Sequence, residues 1–253
     1  MKKVAFIQAR MTSTRLPGKI LMDLAGQPML AQQLGRLRQC RMLDELVIAT
    51  TTNVTDDPVV ELARHERIRC YRGSEEDVLS RYVGAAREAS AEVVIRLTAD
   101  CPLIDAEIVD LVVSELVSHA ESCDYVGNVL ERTYPRGLDV EAFSLWALEE
   151  CDRLAKSPSS REHVTLVIRQ EKPELFRRRS VVDSEDNSDL RWTVDTQTDL
   201  DLVRAVYKSL DLPRFTRTYR DIVSFVRSHP ELMAMNSGIE TWDPARQQKN
   251  KHL

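Results

Sequence analysis

Apolar and polar positions follow two distinct rhythms over the first hundred residues. Short runs dense in β-branched and aliphatic residues, Val4 to Ala9, Glu45 to Thr50, Ile68 to Arg72 and Glu92 to Thr98, are strand-sized. Between them apolar residues return every three or four positions: Met29, Leu30, Leu34 and Leu37 within 28–39, and Val78, Leu79, Tyr82, Val83 and Ala86 after Glu75. That spacing lines one face of a helix. Asp56, Asp57 and Pro58 open a further helix, and Asp105 caps one that runs to about His119. Strand and helix in succession predict βαβ units, hence an α/β fold with a mostly parallel sheet and helices on its faces. The run through Val93, Val94, Ile95 and Leu97 is apolar on both sides, as a central parallel strand covered twice must be.

Past residue 120 the rhythm loosens. Strands are predicted at 125–129 and 138–143, helices near 144–155 and 160–171, strands near 175–182 and 190–194, and helices near 198–209 and 217–228. The periodicity fades after Pro230. This predicts a single domain over 1–230 and a C-terminal extension, 231–253, whose polar end, 243–253, is a frayed tail.

Composition narrows the function classes. A chain of 253 residues with 43% hydrophobic residues can bury a sizeable core. Its 40 acidic and 35 basic residues leave a net charge of -5, so no global field draws it to nucleic acid or to an anionic membrane. The longest apolar runs are strand-sized and the first residues lack the apolar stretch of a secretory signal, so a cytoplasmic protein is expected. Cys40, Cys70, Cys101, Cys123 and Cys151 are widely spaced with no C-x-x-C pair, and are read as reduced thiols.

Any anion site must therefore be local, and the first βα loop supplies one. From Met1 to Met22 the cations Lys2, Lys3, Arg10, Arg15 and Lys19 meet no acidic residue, and the last three share the loop 10–19 with Thr12, Ser13 and Thr14. Guanidinium forks, an ammonium and hydroxyls together suit a polyphosphate. The loop is not a P-loop, which would need Gly at Ser13 and Ser or Thr at Ile20, and no G-x-G-x-x-G dinucleotide fingerprint follows the first strand.

Two strands stop at an aspartate. Asp100 ends the central strand and precedes Cys101-Pro102, and Asp195 ends the run from Leu190. Together they could hold a Mg²⁺ ion that bridges phosphates, since that ion takes one or two carboxylates plus phosphate oxygens and water. Each also reads as a turn or helix cap. Asp199 and Asp201 form a D-x-D triplet but fall in a predicted helix, where they are expected to be solvated first-turn residues. His163 is either a ligand contact or a packing histidine. In the segment Tyr134 to Glu141, Arg136 could bind a carboxylate, and Asp139 and Glu141 alternate onto one face of a short strand.

These motifs carry a resemblance. The opening Val4 to Leu21, the run Arg96 to Asp105, the stretch Tyr134 to Phe143, Arg161-Glu162-His163-Val164 and Thr193-Val194-Asp195-Thr196 closely resemble the cytidylyltransferases grouped with spore coat polysaccharide biosynthesis protein F. These are similar to the 3-deoxy-manno-octulosonate and acylneuraminate enzymes. The likeness spans roughly residues 3–205, and several motifs in order are far more specific than any one. It departs at Gln8, Ala99 and Arg136.

The resemblance implies a Rossmann-like sheet of the nucleotide-diphospho-sugar transferase type. It implies transfer of CMP from CTP to a sugar acid or related acceptor, with release of pyrophosphate. Ala9, Arg10, Arg15 and Lys19 carry over as nucleotide contacts, with Arg10, Lys19 and Asp100 as the catalytic set and Asp100 and Asp195 as Mg²⁺ ligands. Arg136, Asp139, Glu141 and His163 fall to the acceptor. A homodimer formed through a protruding hairpin near 128–142 is expected, with no nucleic acid or membrane partner. Two other readings stay open: a glycosyltransferase that consumes a nucleotide sugar, and a nucleotide-binding module without catalysis.

Overall fold

The computed structural model describes residues 1–239, and the tail expected at 243–253 lies outside them. In chain order the strands are β1 (Lys3–Gln8), β2 (Asp23–Leu24), β3 (Gln27–Pro28), β4 (Glu45–Thr51), β5 (Arg69–Gly73), β6 (Val93–Thr98), β7 (Tyr125–Gly127), β8 (Glu141–Ser144) and β9 (Arg178–Ser180). The helices are α1 (Met29–Leu37), α2 (Asp57–His65), α3 (Val78–Glu88), α4 (Ala106–Ser118), α5 (Leu145–Leu154), α6 (Pro158–Glu162), α7 (Gln197–Leu210), α8 (Tyr219–Arg227) and α9 (Pro230–Met235).

Among the described residues a seven-stranded sheet runs β5-β4-β1-β6-β8-β7-β9, while β2 and β3 pair separately. β1, β4, β5 and β6 are parallel neighbours, and β8 alone runs against its neighbours β6 and β7. The alternation of side chains along the strands splits the core in two. Ala5, Ile7, Ile95 and Leu97 face a layer built from α1, α2, α4, α7 and α8, whereas Val4, Phe6, Val94 and Phe143 face α3 and α5. The chain leaves β1 for β4 on one side and returns to β6 on the other. The two strands lie in register, Gln8 opposite Thr98, so their carboxyl ends form the switch point where open α/β sheets bind ligands.

The second half departs from its predicted elements for local reasons. The helix expected over 160–171 is broken: α6 ends at Glu162, Val164 takes φ +44, and a π turn covers Val167–Glu171. No strand forms at 190–194, where only an isolated bridge joins Arg136 to Arg191. Its backbone is engaged instead by loops: Arg136 N–H donates to Leu190 O (2.9 Å), Trp192 N–H to Arg136 O (2.6 Å) and Val194 N–H to Asp100 O (2.8 Å).

The stretch expected to protrude as a hairpin, 128–142, is an irregular connection from β7 into β8. Its Tyr134, Leu138 and Val140 are buried, and the Asn128 amide bridges Leu138 O (2.7 Å) and Val140 N–H (2.9 Å). Gly137 is the tight point of this connection. It has φ +104, and a Cβ there would come within 2.6 Å of the backbone of Trp192 and Thr193. Gly137→Ala is expected to destabilise the fold by about 2 kcal/mol, read by urea denaturation, and to lower turnover by displacing the segment that ends at Asp195.

Candidate active site

The loop after β1 is shaped by a glycine and a buried carboxylate. Gly18 adopts φ +72, a conformation open to residues without a Cβ, and its N–H closes the loop on Met11 O at 2.9 Å. Asp56 is fully buried beside it. One of its oxygens accepts from Met11 N–H (2.7 Å), and the other from Thr50 Oγ1 (3.0 Å) and from Thr51 N–H (3.1 Å) and Oγ1 (2.5 Å). Asp56 thus ties the cationic loop to the end of β4, a role beyond the helix opening read from sequence. Thr12 bonds Glu75, which also lies 3.7 Å from Arg10. Ala9 is buried with its N–H on Ala49 O (3.1 Å).

Lys19, at the start of a 3₁₀ turn (Lys19–Leu21), points inward and joins both strand-end aspartates. Its Nζ lies 3.0 Å from Asp100 Oδ2, 3.0 Å from Asp195 Oδ1 and 2.6 Å from Val194 O. The two carboxylate oxygens are therefore no more than twice that ion-pair distance apart. Burial alone would lower the Lys19 pKa, but the two aspartates outweigh it and hold the ammonium above its ordinary range. Burial likewise pushes Asp195 up, and Lys19, Arg191 and Arg15 bring it below the usual carboxylate range. Arg15 reaches Asp195 Oδ2 at 3.0 Å from the exposed side, and Arg191 reaches the same oxygen at 2.7 Å from the buried side. A cleft of about 240 Å³ opens here, lined by Gln8, Arg10, Arg15, Thr98, Asp100 and Asp195 among others.

Asp199, expected in a solvated first turn, is buried behind Asp195. It accepts from Arg191 Nε (3.0 Å), from the N–H groups of Asp195 (3.0 Å) and Thr196 (2.9 Å), and from Asn236 Nδ2 (2.9 Å). The cap of α7 is Thr196, not Asp195, which leaves the Asp195 carboxylate to the cleft. Sequence reasoning missed Arg191 and Asn236, because neither lies in a motif and both reach the site through long-range packing.

The residues assigned to the acceptor do not converge. Arg136 lines a different cavity, together with Arg191 and Asn236. Asp139 and Glu141 were expected to share a strand face, but β8 begins only at Glu141. Asp139 is paired bidentately with Arg132 (2.6 and 2.9 Å). Glu141 is buried and bonded to Arg96 Nη1 (2.6 Å), Tyr125 OH (2.7 Å) and Thr165 Oγ1 (2.5 Å). Glu141 is thus part of a buried network, and it does not line the cleft where Asp100 and Asp195 meet. His163 ends α6 close to this arginine-rich network, and burial holds its pKa below the ordinary value, so it is neutral near pH 7.

The donor set suits a hard divalent cation. Two carboxylates already face one cationic position, now held by the Lys19 ammonium. Among the described residues no group of three or more metal-ligating side chains gathers anywhere. A pair of carboxylates is the complement that Mg²⁺ takes when nucleotide phosphates and water fill its remaining positions. No helix of the described residues is long and apolar enough to cross a membrane.

A switch-point cleft with a cationic loop on one side and paired acids on the other defines a nucleotide-handling α/β protein. Comparison with known sequences and structures gives the class. The cytidylyltransferase family profile matches residues 4–220, and the chain belongs to that family. It is 34% identical over 241 residues to an uncharacterized protein of Methanocaldococcus jannaschii, covering 94% of this chain and 96% of that one. It is 35% identical over 224 residues to the spore coat polysaccharide biosynthesis protein SpsF of Bacillus subtilis, covering 82% and 88%. A solved cytidylyltransferase from Leptospira borgpetersenii serovar Hardjo-bovis superposes with a TM-score of 0.87 at 31% identity, over 96% of this chain and 100% of that one. Of the readings the sequence left open, the family places the chain with the nucleotidyltransferases, and the fold is of the nucleotide-sugar transferase type.

Proposed function

We propose that the protein transfers CMP from CTP to an oxygen of a sugar acid or related acceptor, with Mg²⁺ and with release of pyrophosphate. One observation carries the reading: Asp100 and Asp195, remote in sequence, meet at one ammonium on the rim that also bears Arg10 and Arg15. The link to surface polysaccharide is supported by the name of the Bacillus relative.

In this mechanism Arg10 and Arg15 pair with the triphosphate at the cleft mouth and Lys19 neutralises it from below. Asp100 and Asp195 would hold the metal, which when bound would supply charge neutralisation at the α-phosphate and ease loss of the acceptor hydroxyl's proton. The acceptor oxygen attacks the α-phosphorus in line. The bond from that phosphorus to the β-bridging oxygen breaks, pyrophosphate leaves with the electron pair, and the proton of the acceptor hydroxyl passes to solvent water. Positioning and electrostatics supply the catalysis, so no protein base is required. Before nucleotide arrives, Lys19 compensates both carboxylates and keeps the site assembled.

The test is incubation with Mg²⁺, each of the four nucleoside triphosphates in turn, and a panel of keto-sugar acids, sugar phosphates and phosphonates. CTP-dependent pyrophosphate release with one acceptor class is expected. Release of a nucleoside mono- or diphosphate from a nucleotide sugar, with none from CTP, would overturn the reading. Arg15 is half exposed at the mouth, so Arg15→Ala is expected to raise the KM for CTP about tenfold while kcat changes little. A homodimer in the cytoplasm belongs to the same reading, and sedimentation velocity checks the dimer.

A further inference from the structure

Asp195 is held from behind by a polar chain that begins beyond the span matched by the family profile. Asn236, just after α9, is buried, and its Nδ2 donates to Asp199 Oδ1 (2.9 Å) and to Arg191 O (2.9 Å). Asp199 Oδ2 accepts the N–H groups of Asp195 and Thr196, which fixes the backbone where the strand-like segment turns into α7. Arg191 spans the remaining gap, with Nε on Asp199 Oδ1 (3.0 Å) and Nη2 on Asp195 Oδ2 (2.7 Å). With Oδ2 gripped in this way, Oδ1 is the oxygen turned toward Lys19 and Asp100.

Packing fixes the backbone here, since Trp192 and Val194 are buried in the core, but it does not set which way the Asp195 carboxylate turns. Arg191, Trp192 and Asn236 border a cavity of about 710 Å³ between the 188–192 segment and α9, and the hydrogen bonds cross its inner edge to reach that carboxylate. Hydrogen bonds to a charged, water-poor carboxylate are among the stronger ones a protein makes, and partners behind a metal ligand set its orientation.

We propose that Asn236 is a positioning residue which, through Asp199 and Arg191, orients the Asp195 carboxylate for its metal, so that α9 belongs to the active site although it never touches substrate. The inference rests on the reading of Asp195 as a Mg²⁺ ligand.

The test measures binding of Mn²⁺ by water-proton relaxation to protein saturated with a non-transferable CTP analogue. It compares the wild type with Asn236→Ala, Asn236→Ser and Asp195→Asn. Asn236→Ala is expected to weaken Mn²⁺ about tenfold, with metal-free affinity for the analogue close to wild type and the melting transition lowered by only a few degrees. Asn236→Ser, smaller and still polar, decides the matter should the alanine variant prove unstable, and it too should bind Mn²⁺ more weakly. Wild-type Mn²⁺ affinity in the Asn236 variants, alongside its loss in Asp195→Asn, would overturn this inference and leave the metal role of Asp195 intact. Wild-type affinity in Asp195→Asn would instead remove the metal role itself, and the inference with it.

Discussion

Asp100→Asn is expected to lower pyrophosphate release from CTP by about 10³-fold or more while the protein stays folded. The substitution keeps the shape of the side chain and removes one negative charge. Lys19 retains Asp195 at 3.0 Å and Val194 O at 2.6 Å, so the ammonium is not orphaned. Asp100 is also partly exposed to the cleft, which limits the stability cost. The loss should appear in kcat, because Arg10, Arg15 and Lys19 still bind the triphosphate. Asp195→Asn should be as damaging to turnover but also less stable, since Asp195 has Arg15 and Arg191 as further partners. Pyrophosphate release at the wild-type rate by Asp100→Asn would rule out its place in the metal site.

That the site could be read at all from sequence has a local cause. β1 and β6 are largely apolar runs, interrupted within β6 by Arg96, that end abruptly, so the first cationic loop and Asp100 announce themselves where the strands stop. What brings Lys19 to Asp195 is parallel pairing of β1 with β6 and the bond from Val194 N–H to Asp100 O, contacts between distant segments that no local pattern displays. Asp199 shows the limit most plainly. Its position in the first turn of α7 predicts solvation, yet Arg191 before it and Asn236 after it enclose it. The alternation of Asp139 and Glu141 does not become a shared strand face for a related reason: Asn128 holds Leu138 and Val140 in an irregular path, and β8 begins at Glu141, three residues after the predicted start. Helical periodicity at 160–171 was real, but Val164 with a positive φ divides it into α6 and a π turn.

The buried network around Glu141 makes a strong prediction about stability. Glu141→Ala is expected to destabilise the protein by about 3–5 kcal/mol, because it leaves the Arg96 guanidinium buried without its carboxylate. Asp139→Ala removes a partly exposed partner of Arg132 and should cost about 1 kcal/mol or less. Urea denaturation of the two variants therefore separates a structural Glu141 from an acceptor ligand. Acid titration supplies a second readout. Burial raises the Glu141 pKa, but Arg169 and Arg96, with the hydroxyls of Thr165 and Tyr125, lower it overall from 4.5 to about 2. A carboxylate depressed on folding stabilises fully above its unfolded pKa, and that contribution is lost as pH falls from about 4.5 towards 2. Glu141→Gln should therefore show a shallower loss of stability than wild type over that interval. Should Glu141→Ala unfold no more readily than Asp139→Ala, the buried network does not hold β8 to β6, and Glu141 returns to the candidates for binding the acceptor.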